Sequence, residues 1–312
     1  MLLIHRALIL AFALSAIAPP AVAVVDFDWQ VVGHPGNADD TVVATDGTGV
    51  YGSVPSVFRI AKHEVTVNQY VEFLNSNARD SDPYDLWQSY SGSIVRSGVA
   101  PNYSYGAVVG MGNFPVDYVP FYNALRFINW LHNGQVDYAT ETGAYDLTDP
   151  AALVADTVSR EPGAQFFLPS EDEWYKVAYY HAPGSEYRAY PAGRNAIPAC
   201  TSPTSLPNTA NCFSSSRSDV GTYPASASSY GAFDMGGNIK EWNETSSESN
   251  FGPPGLKPTR GMRGGAFNYL DLTCDECPLE VSEQAFMAAT ERSPWLSTDD
   301  YAFFFTGKWL GF

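Results

Sequence analysis

Helical periodicity in this chain stops at Pro183, and that break constrains the fold more than any single motif. Before it lie three helix signals. Thr66 can cap a helix whose capping box is completed by Gln69, and Val67, Tyr70, Val71 and Leu74 then recur on one apolar face. A second pattern runs from about Pro120 to His132, with Ala124, Ile128 and Leu131 as its stripe and Gly134 placed to follow its end. A third starts at Ser170, with Glu173 completing its box and Trp174, Val177 and Ala178 facing inward. Trp29–Val32 and Val57–Ile60 read as short strands, with His34 to Asn37 as a turn between them. Beyond Pro183, Gly, Pro, Ser and Asn dominate, which predicts short strands and long loops. Helices early and irregular β structure late predict one α+β domain. Ser81–Gly112 is polar and Tyr-rich with weak periodicity, so it is expected to be irregular and on the surface. Tyr138–Asp156 has no clean period and predicts no element.

The first 23 residues predict a cleavable signal peptide. Arg6 supplies a positive start, Ala7–Ile17 an apolar stretch too short to span a bilayer, Pro19 and Pro20 a break, and Ala21-Val22-Ala23 a cleavage site. Residues 24–312 are then a single mature domain, secreted, periplasmic or on the cell surface. No later run predicts a membrane span. Tyr301–Phe305 is apolar but only strand-length. The net charge of −17 argues against a nucleic-acid partner and supplies carboxylates for hard cations such as calcium. Four cysteines in an exported chain read first as two disulfides, and the spacing suggests Cys200–Cys212 and Cys274–Cys277. Three pairings are possible, and zinc is the rival reading of the C-x-x-C.

Five segments, in order, resemble one known family. They are Phe58–Tyr70 around Glu64-Val65-Thr66; Phe114-Pro115-Val116 followed by Ala124–Leu131; Phe167–Trp174; Gly231–Trp242; and Arg260–Phe267 around Gly264-Gly265. Together they are similar to the formylglycine-generating enzymes, or sulfatase-modifying factors, over roughly residues 50–312. The resemblance implies a C-type-lectin-like α+β fold with much irregular structure. Most of these motifs also have a fold role: Trp174 and Trp242 as large core anchors, and Gly264-Gly265 as positions of positive φ or close backbone approach.

The resemblance also implies sites. Asn238-Ile239-Lys240-Glu241 matches the family's calcium-holding segment, so Asn238, the Ile239 carbonyl and Glu241 are the expected calcium ligands. A second family site would begin at Asn211, with Asp219 as its downstream candidate. The family's enzymes hold copper(I) on two cysteines. Here Tyr269 stands at the first position, Cys274 at the second, and Ala266 replaces the neighbouring serine. The five histidines show no metal-ligand spacing. Two readings follow. One is a non-catalytic module binding a protein or glycan on a calcium-stabilised scaffold. The other is a copper-dependent oxidase that converts a substrate cysteine to formylglycine, with Cys274 and Cys277 as its catalytic residues.

Overall fold

The computed structural model describes residues 24–42, 49–247, 259–268, 301–302 and 306–308. The expected signal segment 1–23, Tyr269, Cys274 and Cys277 lie outside them. In chain order the elements begin with β1 (Trp29–Val32), β2 (Phe58–Ala61), α1 (Val67–Asn77), β3 (Ile94–Ser97), β4 (Ser104–Ala107), α2 (Phe121–His132), α3 (Pro150–Ala155), β5 (Phe166–Phe167) and α4 (Glu171–Tyr179). The short strands β6 (Tyr180–His181), β7 (Glu186–Tyr187), β8 (Ala199–Cys200) and β9 (Thr209–Ala210) follow. The last strands are β10 (Lys240–Ser247), β11 (Thr259–Arg263), β12 (Tyr301–Ala302) and β13 (Thr306–Lys308).

One sheet has the order β1-β2-β13-β5, all antiparallel, so the C-terminal strand fills the space between two strands far apart in the chain. A second has the order β11-β10-β12, antiparallel on one side and parallel on the other.

The helix starts obey the capping chemistry. Gln69 N–H donates to Thr66 Oγ1 at 3.3 Å, and Thr66 N–H donates back to the Gln69 side chain at 2.9 Å. Ser170 and Glu173 make the same reciprocal pair for α4 at 3.2 and 2.8 Å. Each cap satisfies helix donors that lack intrahelical partners and contributes about 1 kcal/mol. The expected face of α1 is buried, as is that of α4, where Trp174 is fully enclosed. Phe73 of α1 meets Phe127 and Trp130 of α2 at ring-centroid distances of 5.4 and 5.5 Å, and Trp130 Nε1 donates to Ser76 Oγ.

Three features differ from expectation. Helix α2 is buried on nearly every side, polar positions included, rather than along one stripe. Its buried Asn129 is satisfied by tertiary partners: Nδ2 donates to the Thr140 and Tyr145 carbonyls, and Oδ1 accepts from Tyr145 N–H. The 81–112 insertion is not wholly irregular, because β3 and β4 form a hairpin inside it. Four residues per strand, with Arg96 turned inward, leave too little alternation to read. Finally, Asp149 caps the short helix α3 in the stretch that showed no period. Cys200 and Cys212 are joined, with Cα atoms 5.1 Å apart, as their spacing suggested. Among the described residues no helix is long and apolar enough to cross a membrane.

Candidate functional site

The motif Gly231–Trp242 leads into β10 through two turns that need left-handed backbone: Asp234 has φ 57°, Gly237 98° and Asn238 61°. A Cβ on Gly237 would lie 2.6 Å from the Asn211 carbonyl, so only glycine admits this approach. Three backbone hydrogen bonds draw the neighbouring segments together. Gly237 N–H donates to the Gly264 carbonyl at 2.6 Å, Asn238 N–H to the Asn211 carbonyl at 2.8 Å, and Phe267 N–H to the Asn238 carbonyl at 2.9 Å. Gly264, at φ 95°, lies against the Glu241 carboxylate, and a Cβ there would collide with it.

This weave encloses a set of acids. Glu241 is fully buried, and among the described residues neither of its carboxylate oxygens has a hydrogen-bond partner. Glu64, from the link between β2 and α1, is 1% exposed. Its Oε2 accepts from Asn238 Nδ2 at 3.2 Å, while its Oε1 is buried without a partner among the described residues. Burial pushes both carboxyls well above the usual range, and charge repulsion adds to it: from Asp234 at Glu64, and from Glu64 and Asp234 at Glu241. Asp234 is raised to about 6 by burial, against the hydrogen bond it accepts from Gly221 N–H at 2.7 Å. Arg217 opposes the rise at Glu64, but its guanidinium is already paired with Asp117 at 2.7 Å.

The structure therefore places Asn238, Ile239 and Glu241 together in the interior, Ile239 being fully buried. The Asn238 amide oxygen accepts from Ser218 N–H at 2.9 Å and from Asn211 Nδ2 at 3.2 Å. Asn211 thus joins the same network rather than a separate one. Among the described residues Asp219 Oδ1 is buried without a hydrogen-bond partner. Among the described residues no three His, Cys, Asp or Glu side chains already converge as a metal cage.

Sequence reasoning passed over Glu64 and Asp234. Both stand in motifs quoted above, Glu64-Val65-Thr66 and Asp234-Met235, but nothing local marks them as neighbours of Glu241. An open cleft of about 320 Å³ borders Glu64 and is lined also by Asp28, Lys62, His63 and Gln69. His63 packs as expected, stacked on Phe233 at 5.1 Å between ring centroids.

Comparison with known proteins agrees with this architecture. The curated protein "Serine/threonine-protein kinase pkn1" of Chlamydia caviae is 25% identical over 236 residues, covering 68% of this chain. The chain spans only 28% of that relative's length. The crystal structure of CarF superposes with a TM-score of 0.56 at 17% identity, covering 91% of this chain and 98% of CarF. Treponema denticola variable protein 1 gives 0.53 at 20% identity, covering 92% and 97%. These two likenesses show the fold. A family model described as "Sulfatase-modifying factor enzyme 1-like domain" matches residues 36–296. With that match over most of its length, the chain belongs to the sulfatase-modifying factor enzyme 1-like family.

Proposed function

We propose that this chain is an exported, non-catalytic ligand- or protein-binding module on a calcium-stabilised scaffold. The observation that carries the calcium reading is the Glu241 carboxylate, fully buried with both oxygens unpartnered among the described residues, as is Oε1 of Glu64. A buried carboxylate without donors is costly, and a hard divalent cation is the partner its oxygens suit. Glu241, Glu64 and the Ile239 carbonyl would hold the ion. Asn238 would serve the shell through its Nδ2, which holds Glu64 Oε2 in place while its own oxygen stays on Ser218 N–H and Asn211 Nδ2. Bound calcium would supply the charge that keeps these acids ionised. The residues themselves would then tie the β2–α1 link to β10, and water entering by the cleft at Glu64 would complete the shell.

The absence of catalysis is inferred from the residues at the family's copper positions. Tyr269 offers a phenol where a soft monovalent ion calls for a thiolate, and Ala266 removes a hydroxyl. These residues do not fit copper, so no oxidative step is derived. The Cys200–Cys212 disulfide supports an oxidising compartment and hence export. The alternative is the copper-dependent oxidase working through Cys274 and Cys277. The test is to incubate the purified chain, copper and reductant with a cysteine peptide carrying a sulfatase motif, and to follow peptide mass with hydrazide trapping. The expected result is an unchanged thiol. Robust aldehyde formation that vanishes in Cys274→Ser would return the chain to the oxidases.

A further inference from the structure

We propose that the 81–112 insertion forms a binding site for a neutral oligosaccharide, in the cavity between the 82–89 turn and the β3–β4 hairpin. This deepens the binding-module reading and rests on it. The cavity measures about 520 Å³, within the range of small-ligand sites. Its lining includes Asp82, Asp85, Trp87, Gln88, Arg96 and Tyr103.

The wall is prearranged by its own bonds. Asp82 accepts from Leu86 N–H at 2.7 Å with one carboxylate oxygen and from Trp87 N–H at 2.9 Å with the other. Trp87 Nε1 donates to the Ile94 carbonyl of β3 at 3.2 Å, joining the turn to the hairpin. Asn123 of α2 donates to the Asp85 carbonyl at 3.0 Å and seats the turn on the core. Alternation along β3 buries Ile94, exposes Val95 and turns Arg96 inward. The Arg96 guanidinium then lies between two rings, 4.1 Å from the Trp87 centroid and 4.5 Å from that of Tyr103. Stacking holds it flat at modest cost in freedom, in the field of the Asp82 carboxylate and with the Tyr105 hydroxyl against part of its edge. Little is lost to ordering when such a wall binds a ligand.

The unused groups decide the ligand class. Among the described residues Arg96 makes no ion pair, and the Asp85 carboxylate accepts no hydrogen bond. Gln88 uses its amide N–H on the Asp85 carbonyl at 2.6 Å, and its oxygen is left over. The cavity thus offers donors from Arg96 and acceptors from Asp85 and Gln88, beside the apolar surface of Trp87 and Tyr103. An anion would meet Asp82 and Asp85, and a cation would meet Arg96. Vicinal hydroxyls both donate and accept and carry no charge, and so match this mixed set of donors and acceptors.

The test uses the full mature chain and saturation-transfer NMR. The probes are maltotriose, cellotriose, mannotriose and triacetylchitotriose, with sialyllactose and the glucosamine trimer as charged comparators. At least one neutral trisaccharide is expected to bind with a Kd below about 1 mM, in the weak range natural to an open polar site. Asp85→Ala and Arg96→Ala should each weaken it at least about tenfold. Val95→Ser, on the outer face of the hairpin, should leave it unchanged. Asp85 is exposed, so its variant should keep the parent melting temperature. Absence of binding by all four neutral probes at millimolar concentration overturns the inference. So does binding by the charged comparators alone, or binding that survives both Asp85→Ala and Arg96→Ala. None of these outcomes touches the non-catalytic reading, which formylglycine formation would remove, or the calcium reading, which the response of the melting temperature to calcium tests.

Discussion

Asp234→Asn should make the calcium-free protein less sensitive to rising pH, and the size of the effect follows from the structure. The Asp234 carboxyl is raised from 3.8 to about 6 by burial, so the folded state holds its proton across a window where the unfolded chain releases it. A carboxyl raised on folding contributes stability that is full below its unfolded value and is lost as pH climbs through the folded value. A rise of about two pH units, at about 1.4 kcal/mol each, costs the parent about 3 kcal/mol in all, of which about 2.4 kcal/mol falls between pH 4 and pH 7. Asparagine keeps the oxygen that accepts from Gly221 N–H and cannot ionise. The assay is urea denaturation of parent and variant in chelator at pH 4 and at pH 7.5. Other groups titrate in both proteins, so the quantity to follow is variant minus parent. That difference should shift towards the variant by about 2.4 kcal/mol from the lower to the higher pH. A difference that is the same at both pH values would refute the reasoning, because Asp234 would then titrate as in the unfolded chain.

Calcium should raise the melting temperature of the parent, by an amount corresponding to about 2.7 kcal/mol at a hundredfold excess over Kd. Joint Asn238→Ala and Glu241→Ala substitution should abolish that response, and an equal response in the double variant would place the ion elsewhere. Gly264→Ala should destabilise by more than the about 1–3 kcal/mol of left-handed strain, since its methyl also meets the Glu241 carboxylate. Gly265→Ala, where a Cβ meets nothing, should cost only the strain; equal denaturation midpoints for the two variants would discount the contact with Glu241. Joint Cys200→Ser and Cys212→Ser substitution should lower stability by about 3 kcal/mol through the freed loop, read from thermal melts without reductant; an unchanged melt would mean the bridge constrains nothing.

What the sequence by itself determined is whatever is settled within a few residues. Thr66 with Gln69, and Ser170 with Glu173, satisfy helix donors inside a single turn, so both helix starts were legible. The Cys200–Cys212 pairing was legible for the same reason, lying within one short loop. The order of five motifs pointed to the family because they preserve the large anchors, such as Trp174, and the glycines of a shared backbone path. Glu241 was marked as a ligand by its motif, but its neighbours were not. Only the tertiary structure brings Glu64 and Asp234 into its field, because β2, the Asp234 turn and β10 meet through hydrogen bonds between distant segments. The same holds for β13 between β2 and β5, for the burial of Asn129 among loop carbonyls, and for Arg96 between two rings. Local patterns record which backbone groups a residue can satisfy nearby. Desolvation and charge coupling depend on what the rest of the chain places around it, and no window of sequence contains that.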